Sequence, residues 1–180
     1  MSDLSSLTPG TWNVDPAHSS LNFSVKHLMV SKVRGTFRIF SGTLNIAADP
    51  LQSSVTASAT VESLNTGDDN RDGHLKSGDF FDVANNPTID LRSTKIEALG
   101  SGYRLFADLT IKGQTRGVVF DLEFDGVNTD PWGNTKAGFT ATAEINRKDW
   151  GLEYNAVLET GGVLIGEKVK IELDIQATKA

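Results

Sequence analysis

The stretch Phe139-Thr140-Ala141-Thr142-Ala143-Glu144-Ile145 places an apolar side chain at every second position. Successive side chains of a β-strand point to opposite faces, so this period of two indicates a strand with one apolar and one polar face. Two other runs repeat the pattern, Val118–Phe124 before it and Val169–Gln176 after it. Together the three runs predict strands of an antiparallel sheet with one face covered and the other in water.

The same alternation continues through the rest of the chain, and turn-forming residues such as Asn85-Asn86-Pro87 separate the runs. About eight to ten strands result, and many evenly spaced strands are typical of an all-β sandwich or barrel. Residues 68–77 predict a short helical insertion, because Asp68 and Asp69 suit the start of a helix. The further alternating runs are Leu21–Val25, Val33–Ile39, Leu44–Ile46, Val55–Val61, Ile89–Leu91 and Tyr103–Ile111.

The choice between a sandwich and a barrel depends on small residues at the centres of several apolar faces. Ala57, Ala59, Ala107, Ala141 and Ala143 are the residues concerned. A sheet of about eight long strands can close into a barrel whose interior holds one ligand, and small inward side chains would leave room for it. The alternative is that these alanines lie where a second sheet or a helix packs closely. The pattern leaves both interpretations open.

Composition excludes several functions. The chain has 180 residues, 38% of them hydrophobic, and a formal net charge of -6, so it predicts one folded domain with an acidic surface. Such a surface repels phosphate backbones and anionic lipid surfaces, and we expect no nucleic-acid partner unless a local basic patch exists. The absence of cysteine removes disulfides and thiolate chemistry. No apolar run approaches the length of a membrane span.

The first ten residues carry neither a basic nor an apolar segment of the kind found in secretory signals. We therefore expect a cytoplasmic protein. We also expect residues 1–10 to form a flexible segment and residues 11–180 to form a single domain.

Candidates for chemistry are few. His18, His27 and His74 are the three histidines, and their spacing does not match a known metal motif, so we expect no metal ion and no cofactor. Two segments, Arg71–Lys76 and Asn146–Gly151, combine charged and aromatic side chains. The simpler interpretation is that they tie loops to the sheet by hydrogen bonds. The functional alternative is a polar collar that holds the head group of a ligand.

Taken together, these segments resemble the YceI-like family of lipocalin-like proteins. The resemblance covers about residues 11–177, and many separated motifs in the same order make it specific. The motifs are Trp12–Ser19, Phe23–Met29, Val33–Phe37, Ser63–Gly67, Asn70–Ser77, Asp79–Asp82, Asp108–Thr115 and Ile145–Gly151.

The resemblance implies a lipocalin-like extended antiparallel β-barrel of about eight strands with a long apolar tunnel. It implies binding of a polyisoprenoid, an isoprenoid quinone or precursor, or a related fatty amphiphile, for storage, sequestration or transport. Family members are not established enzymes, so no catalytic residue is expected. Dimers are common among them, and a homodimer is therefore among the assemblies that the resemblance implies.

Every second residue of a strand lies on the same face, and this strand parity groups the side chains that would line such a tunnel. It does not show which of the two groups points inward. Two other functions stay open: an enzyme acting on a lipid inside the barrel, with His18 or His74 as the base, and a scavenger of lipophilic compounds. The expected lining residues are Phe23, Val25, Phe37, Ile39, Ala57, Ala59, Leu105, Ala107, Phe120, Leu122, Phe139 and Ala141. The expected residues of the polar mouth are His27, Arg71, His74, Asn146 and Arg147.

Overall fold

The computed structural model describes residues 3–156 and 164–180. Within them, antiparallel strands follow one another along the chain and one α-helix is inserted between the sixth and the seventh strand. The elements are β1 (Gly10–Val14), β2 (Ser20–His27), β3 (Ser31–Phe37), β4 (Phe40–Ile46), β5 (Ser54–Thr60), β6 (Leu64–Asn65), α1 (Asp69–Lys76), β7 (Thr88–Leu99), β8 (Gly102–Ile111), β9 (Gln114–Thr129), β10 (Thr135–Asn146) and β11 (Ile165–Lys179).

The strands form a closed barrel. Their order around the ring is β1-β4-β5-β7-β8-β9-β10-β11, and β11 pairs with β1 to close it. β1 and β4 occupy two positions of the ring at one end of the barrel, and β2 and β3 occupy the same two positions at the other end. There β2 pairs with β11, and β3 pairs with both β2 and β6. Counted in this way the barrel has eight strand positions, which confirms the predicted all-β barrel and excludes the sandwich.

β11 changes its partner along its length. Ile165 to Asp174 pair with β2, whereas Ala177 to Lys179 pair with β1. At the change, the Asp15 N–H donates to the carbonyl of Gln176 at 2.8 Å, and the N–H of Gln176 donates to Ser19 Oγ at 2.9 Å. These bonds satisfy the backbone groups that the break between β1 and β2 would otherwise leave unpaired.

The helix α1 lies where the sequence predicts it. The Asp68 side chain accepts a hydrogen bond from the Arg71 N–H at 3.0 Å, and the acidic residues Asp69 and Asp72 stand in the first turn. Both features stabilise a helix N-terminus. No helix among residues 3–156 and 164–180 is long and apolar enough to cross a membrane.

The interior divides into two ends, which we call the closed end and the open end. The closed end is filled by a packed cluster around Trp12, Phe124 and Phe139. The open end lies beside α1 and contains a cavity. Leu4 and Leu7 are also buried in the closed-end cluster. These two side chains contact the barrel interior, and the flexible segment expected over residues 1–10 stays a prediction.

Candidate functional site

A cavity of about 410 Å³ occupies the open end of the barrel. Its walls are the inward faces of the strands, closed on one side by α1 and the segment that follows it. Such a volume lies within the range of small-molecule sites. The side chains that line it are mostly aliphatic or aromatic and include Leu21, Phe23, Val25, Phe37, Ala57, Leu75, Phe81, Ile89, Leu91, Phe120, Ile171 and Leu173.

Aromatic rings shape the wall formed by β2 and β3. The ring centroids of Phe23 and Phe37 lie 5.7 Å apart, and Phe81 meets Phe37 edge-on at 6.1 Å. Phe23 pairs across the sheet with Gly35. A Cβ atom on Gly35 would lie 2.2 Å from Cζ of Phe23, so glycine lets this ring lie flat against the wall. The space that the ring leaves free is part of the cavity.

Polar groups border the mouth of the cavity on the side of α1. His74 Nε2 lies 2.8 Å from Asp79 Oδ2, and its ring packs edge-on against Phe80 and Tyr154. Arg71 donates from Nε to Thr66 Oγ1 at 2.7 Å and from Nη2 to the Thr66 carbonyl at 2.8 Å. These side chains therefore hold α1 in place and also line the mouth.

Thr66 is held in turn by the buried carboxylate of Asp72. Its N–H donates to both carboxylate oxygens, at 3.0 and 3.2 Å, and its hydroxyl donates to Oδ1 at 2.5 Å. Arg71, Thr66 and Asp72 thus form one network. These hydrogen bonds agree with the structural interpretation of the Arg71–Lys76 segment, whereas a polar collar that holds a head group stays a prediction.

Arg147 is a buried cation that also lines the cavity. It is 4% exposed and donates to the carbonyls of Gly166 at 2.8 Å, Ile165 at 3.4 Å and Leu152. Burial lowers the pKa of Arg147, and the attraction of Glu167 partly opposes this effect. Among the described residues no carboxylate lies within salt-bridge distance of the guanidinium. Its close contacts are neutral backbone carbonyls, so the positive charge of the guanidinium is not cancelled beside the cavity.

Ten of the residues expected at the site line this cavity, and they come from both the apolar and the polar set. Alternation grouped the seven of them that lie in strands, and closure of the barrel turned that group inward, whereas Arg71, His74 and Arg147 lie on helical turns. They are Phe23, Val25, His27, Phe37, Ala57, Ala59, Arg71, His74, Phe120 and Arg147.

Seven expected residues lie elsewhere. Ile39 is 62% exposed, because the chain kinks between β3 and β4 and the alternation is lost there. The Asn146 side chain accepts a hydrogen bond from the Lys148 N–H at 3.0 Å and caps the 3₁₀ turn Arg147–Trp150. The remaining residues belong to packed clusters beside or below the cavity and do not line it: Leu105, Ala107, Leu122, Phe139 and Ala141.

The sequence analysis missed two groups of lining residues. The first belongs to the alternating runs, so the signal was present, and includes Leu21, Val33, Ile89, Leu91, Leu109, Ile111, Ile145, Val169, Ile171 and Leu173. The second comes from outside the strands and comprises Leu75, Phe80, Phe81, Leu152 and Tyr154. The apolar pair Phe80-Phe81 within a polar loop was a signal for the second group, whereas Leu152 and Tyr154 offered none.

The histidines do not assemble into a metal centre. His18 pairs with Asp15 at 2.9 Å on the outer surface, whereas His27 and His74 border the cavity. Within residues 3–156 and 164–180, no three side chains of His, Asp or Glu lie close enough to hold a metal ion.

A closed eight-stranded antiparallel barrel with an apolar cavity at one end defines a class, the small β-barrels whose interior is partly open. The chain belongs to the YceI-like family, since the model of the YceI-like domain matches residues 12–177. A UPF0312 protein of Staphylococcus epidermidis is 40% identical over 164 residues, covering 89% of this chain and 93% of that protein. A UPF0312 protein of Staphylococcus aureus is 43% identical over 161 residues, covering 88% and 91%.

Solved structures share the fold at lower identity. Burkholderia cenocepacia BcnA matches with a TM-score of 0.79 at 23% identity, covering 92% of this chain and 99% of that chain. A polyisoprenoid binding domain from Saccharophagus degradans matches with a TM-score of 0.70 at 16% identity, covering 94% and 98%. At these identities the likeness concerns the fold.

Proposed function

We propose that this protein binds a long-chain hydrophobic ligand in the cavity at the open end and breaks no bond in it. The candidate ligands are a polyisoprenoid, an isoprenoid quinone or precursor, or a related amphiphile, held for storage, sequestration or transport. The observation that carries the proposal is the cavity of about 410 Å³ with nearly continuous apolar walls. Each methylene group that enters such a site from water contributes about 0.8 kcal/mol to binding.

The geometry supports a ligand with one polar end. Apolar side chains form the depth of the cavity, whereas Arg71, His74 and Arg147 stand near its mouth. The buried charge of Arg147 favours an anionic or carbonyl-bearing head group, because its close contacts are neutral carbonyls. The related fold of the Saccharophagus polyisoprenoid binding domain supports the same ligand class.

The filled closed end limits how far a chain can enter. β11 lines the cavity from Ile165 to Leu173, which at about 3.4 Å per residue is about 27 Å of strand. With the usual strand tilt this becomes about 20 Å along the barrel axis. We therefore expect affinity to rise with chain length until the chain reaches this depth, and then to stay constant.

The first test is native mass spectrometry of the protein purified from its own host, followed by solvent extraction. A discrete added mass that extracts as a prenyl lipid or another long amphiphile is the expected result. A protein that carries no added mass and also takes up no long-chain fluorescent probe would contradict the proposal.

A matched pair of variants locates the binding. Ala57 on β5 lines the cavity, and its neighbour Thr56 points out of the barrel. Ala57→Trp fills the cavity and should abolish uptake of a long-chain probe, whereas Thr56→Trp should bind it as the wild type does. Circular dichroism checks that both variants keep the barrel. Equal uptake by both would place the ligand outside this cavity.

A further inference from the structure

The hairpin that joins β2 and β3 carries exposed apolar side chains beside the mouth of the cavity. Leu28, Met29 and Val30 form its tip, and Val30 is 86% exposed. The preceding residues Lys26 and His27 line the cavity, and the Leu28 N–H donates to the carbonyl of Leu164, another lining residue, at 2.8 Å. The apolar tip is therefore attached directly to the rim of the cavity.

The backbone of this tip is strained. Leu28 and Met29 both have positive φ values, +54° and +62°. Two central residues with positive φ usually mean Asn-Gly or Asp-Gly, because side chains without a short polar group fit this conformation poorly. The turn thus contains two apolar residues where the hairpin alone would favour polar ones, and strain of this kind points to a role outside folding.

The β2–β3 segment itself is basic in an otherwise acidic protein, and Glu167, an acidic residue that neighbouring β11 brings near it, is paired with Lys148. Residues 16–48 contain Lys26, Lys32, Arg34 and Arg38 and no Asp or Glu, although the whole chain carries -6. Lys26 and Lys32 stand directly opposite each other in the hairpin, an arrangement that is unfavourable for like charges. Among the described residues no carboxylate lies within salt-bridge distance of Lys26, Lys32 or Arg34.

We propose that the β2–β3 hairpin docks the mouth of the cavity onto an anionic lipid bilayer. The tip residues Leu28, Met29 and Val30 enter the headgroup region, and the exposed cations Lys32 and Arg34 contact anionic headgroups. Screening reduces the repulsion from acidic residues elsewhere, because the Debye length is about 8 Å at physiological ionic strength. This inference goes beyond ligand binding and holds whatever ligand the cavity takes.

The charges on α1 and on the loop after it define how the protein approaches the bilayer. α1 and the loop after it carry Asp69, Asp79 and Asp82. These carboxylates disfavour contact with an anionic surface, so the hairpin side faces the bilayer. A bilayer fits the hairpin better than a second copy of the chain does. In a two-fold dimer through the tip, the basic residues of one copy would face the same basic residues of the other, and like charges repel.

The test is flotation with vesicles of phosphatidylcholine, alone or mixed with an equal amount of phosphatidylglycerol. The wild type should float with the anionic vesicles at low salt and be released at high salt. Lys32→Ser/Arg34→Ser should weaken binding about fivefold for each cation removed. The control Arg92→Ser/Arg104→Ser removes two exposed cations from the β7–β8 wall and should bind as the wild type does.

A second variant separates docking from folding. Leu28→Asn/Met29→Gly suits the positive φ values, so its melting temperature should rise while its binding to anionic vesicles falls by about tenfold or more. The control Leu99→Ser/Trp132→Ser removes exposed apolar side chains from the β7–β8 and β9–β10 hairpins at the closed end and should float normally.

Three results would overturn the proposal. The first is equal flotation of the wild type and both hairpin variants, and the second is no preference for anionic vesicles. The third is sedimentation showing a dimer that Leu28→Asn/Met29→Gly disrupts, with no flotation of the wild type, which would make the tip an interface between copies. Uptake of a long-chain probe without vesicles should be unchanged in these variants. The probe assay therefore tests ligand binding, and flotation tests docking independently of it.

Discussion

The closed end of the barrel has a packed interior, whereas the open end contains a cavity. At the closed end Trp12, Phe124 and Ala177 have no exposed surface, and Leu4 and Leu7 pack against them. At the open end inward residues such as Phe23 and Leu173 are only partly buried. The strands alternate equally well at both ends. Alternation therefore sets the direction of a side chain, whereas its position along the barrel axis and the size of its neighbours decide whether the interior is filled there.

The largest expected effect comes from emptying the closed end. Trp12→Ala should lower the free energy of unfolding by about 3–5 kcal/mol, because it removes a fully buried side chain and leaves a void in a packed cluster. Phe23→Ala should cost clearly less, since that ring already borders a cavity. Equilibrium unfolding in urea measures both. Equal losses would mean that the two ends are packed alike.

The next effect tests how the open end is held in shape. Arg147→Ala should lower the free energy of unfolding by about 2–4 kcal/mol, because the carbonyls of Leu152, Ile165 and Gly166 lose a charged donor. Arg147→Lys keeps the charge but reaches fewer carbonyls, so thermal denaturation should place it between the alanine variant and the wild type. A wild-type melting temperature for Arg147→Ala would show that these bonds do not hold the mouth.

Much of the barrel could be predicted because its evidence is local. Each run such as Phe139–Ile145 carries its own period of two, and turn residues mark where each run ends. The helix over 69–76 was also predictable from Asp68 and Asp69. The burial of Leu4 and Leu7 was not, because two isolated apolar residues give no periodic signal.

The site was less predictable because it depends on how the chain closes. Phe120 lines the cavity, whereas Leu122 and Phe139, on the same inward faces, pack in clusters that do not line it. Position along the barrel axis makes this difference, and parity carries no information about it. Ala141 and Ala107 have small side chains because Trp150 and its neighbours share their cluster, as the close-packing alternative proposed. Ala57 and Ala59 border the cavity, as the open-barrel alternative proposed.

A smaller change should narrow the open end without disturbing the closed one. In Gly35→Ala the new Cβ overlaps the ring of Phe23, which must turn into the cavity. Probe uptake should weaken roughly tenfold, equivalent to about 1.4 kcal/mol. Gly117→Ala on β9 is the control, because a Cβ there meets no atom within 4 Å. Fluorescence titration compares the two, and identical affinities would show that Phe23 does not limit the space for the ligand.

The smallest expected effect lies at the boundary between the two ends, where β1 gives way to β2. The hydrogen bond from His18 holds the pKa of Asp15 below its ordinary value of 3.8, and the bonds from the Ala17 N–H and from Lys136 act in the same direction. A carboxyl group whose pKa is lower in the folded than in the unfolded protein stabilises the fold above the unfolded value. This stabilisation is lost as the pH falls through the folded value.

Asp15→Asn should therefore lower the free energy of unfolding by about 1 kcal/mol at neutral pH, where the carboxylate is charged. The difference from the wild type should shrink as the pH falls through 3.8 and vanish below the folded pKa. Urea unfolding at a series of pH values measures it, with Asp174→Asn, on the exposed face of β11, as the control. A difference that stays constant with pH would mean that Asp15 acts at this boundary through its shape and its backbone bond to Gln176, and that its charge contributes nothing there.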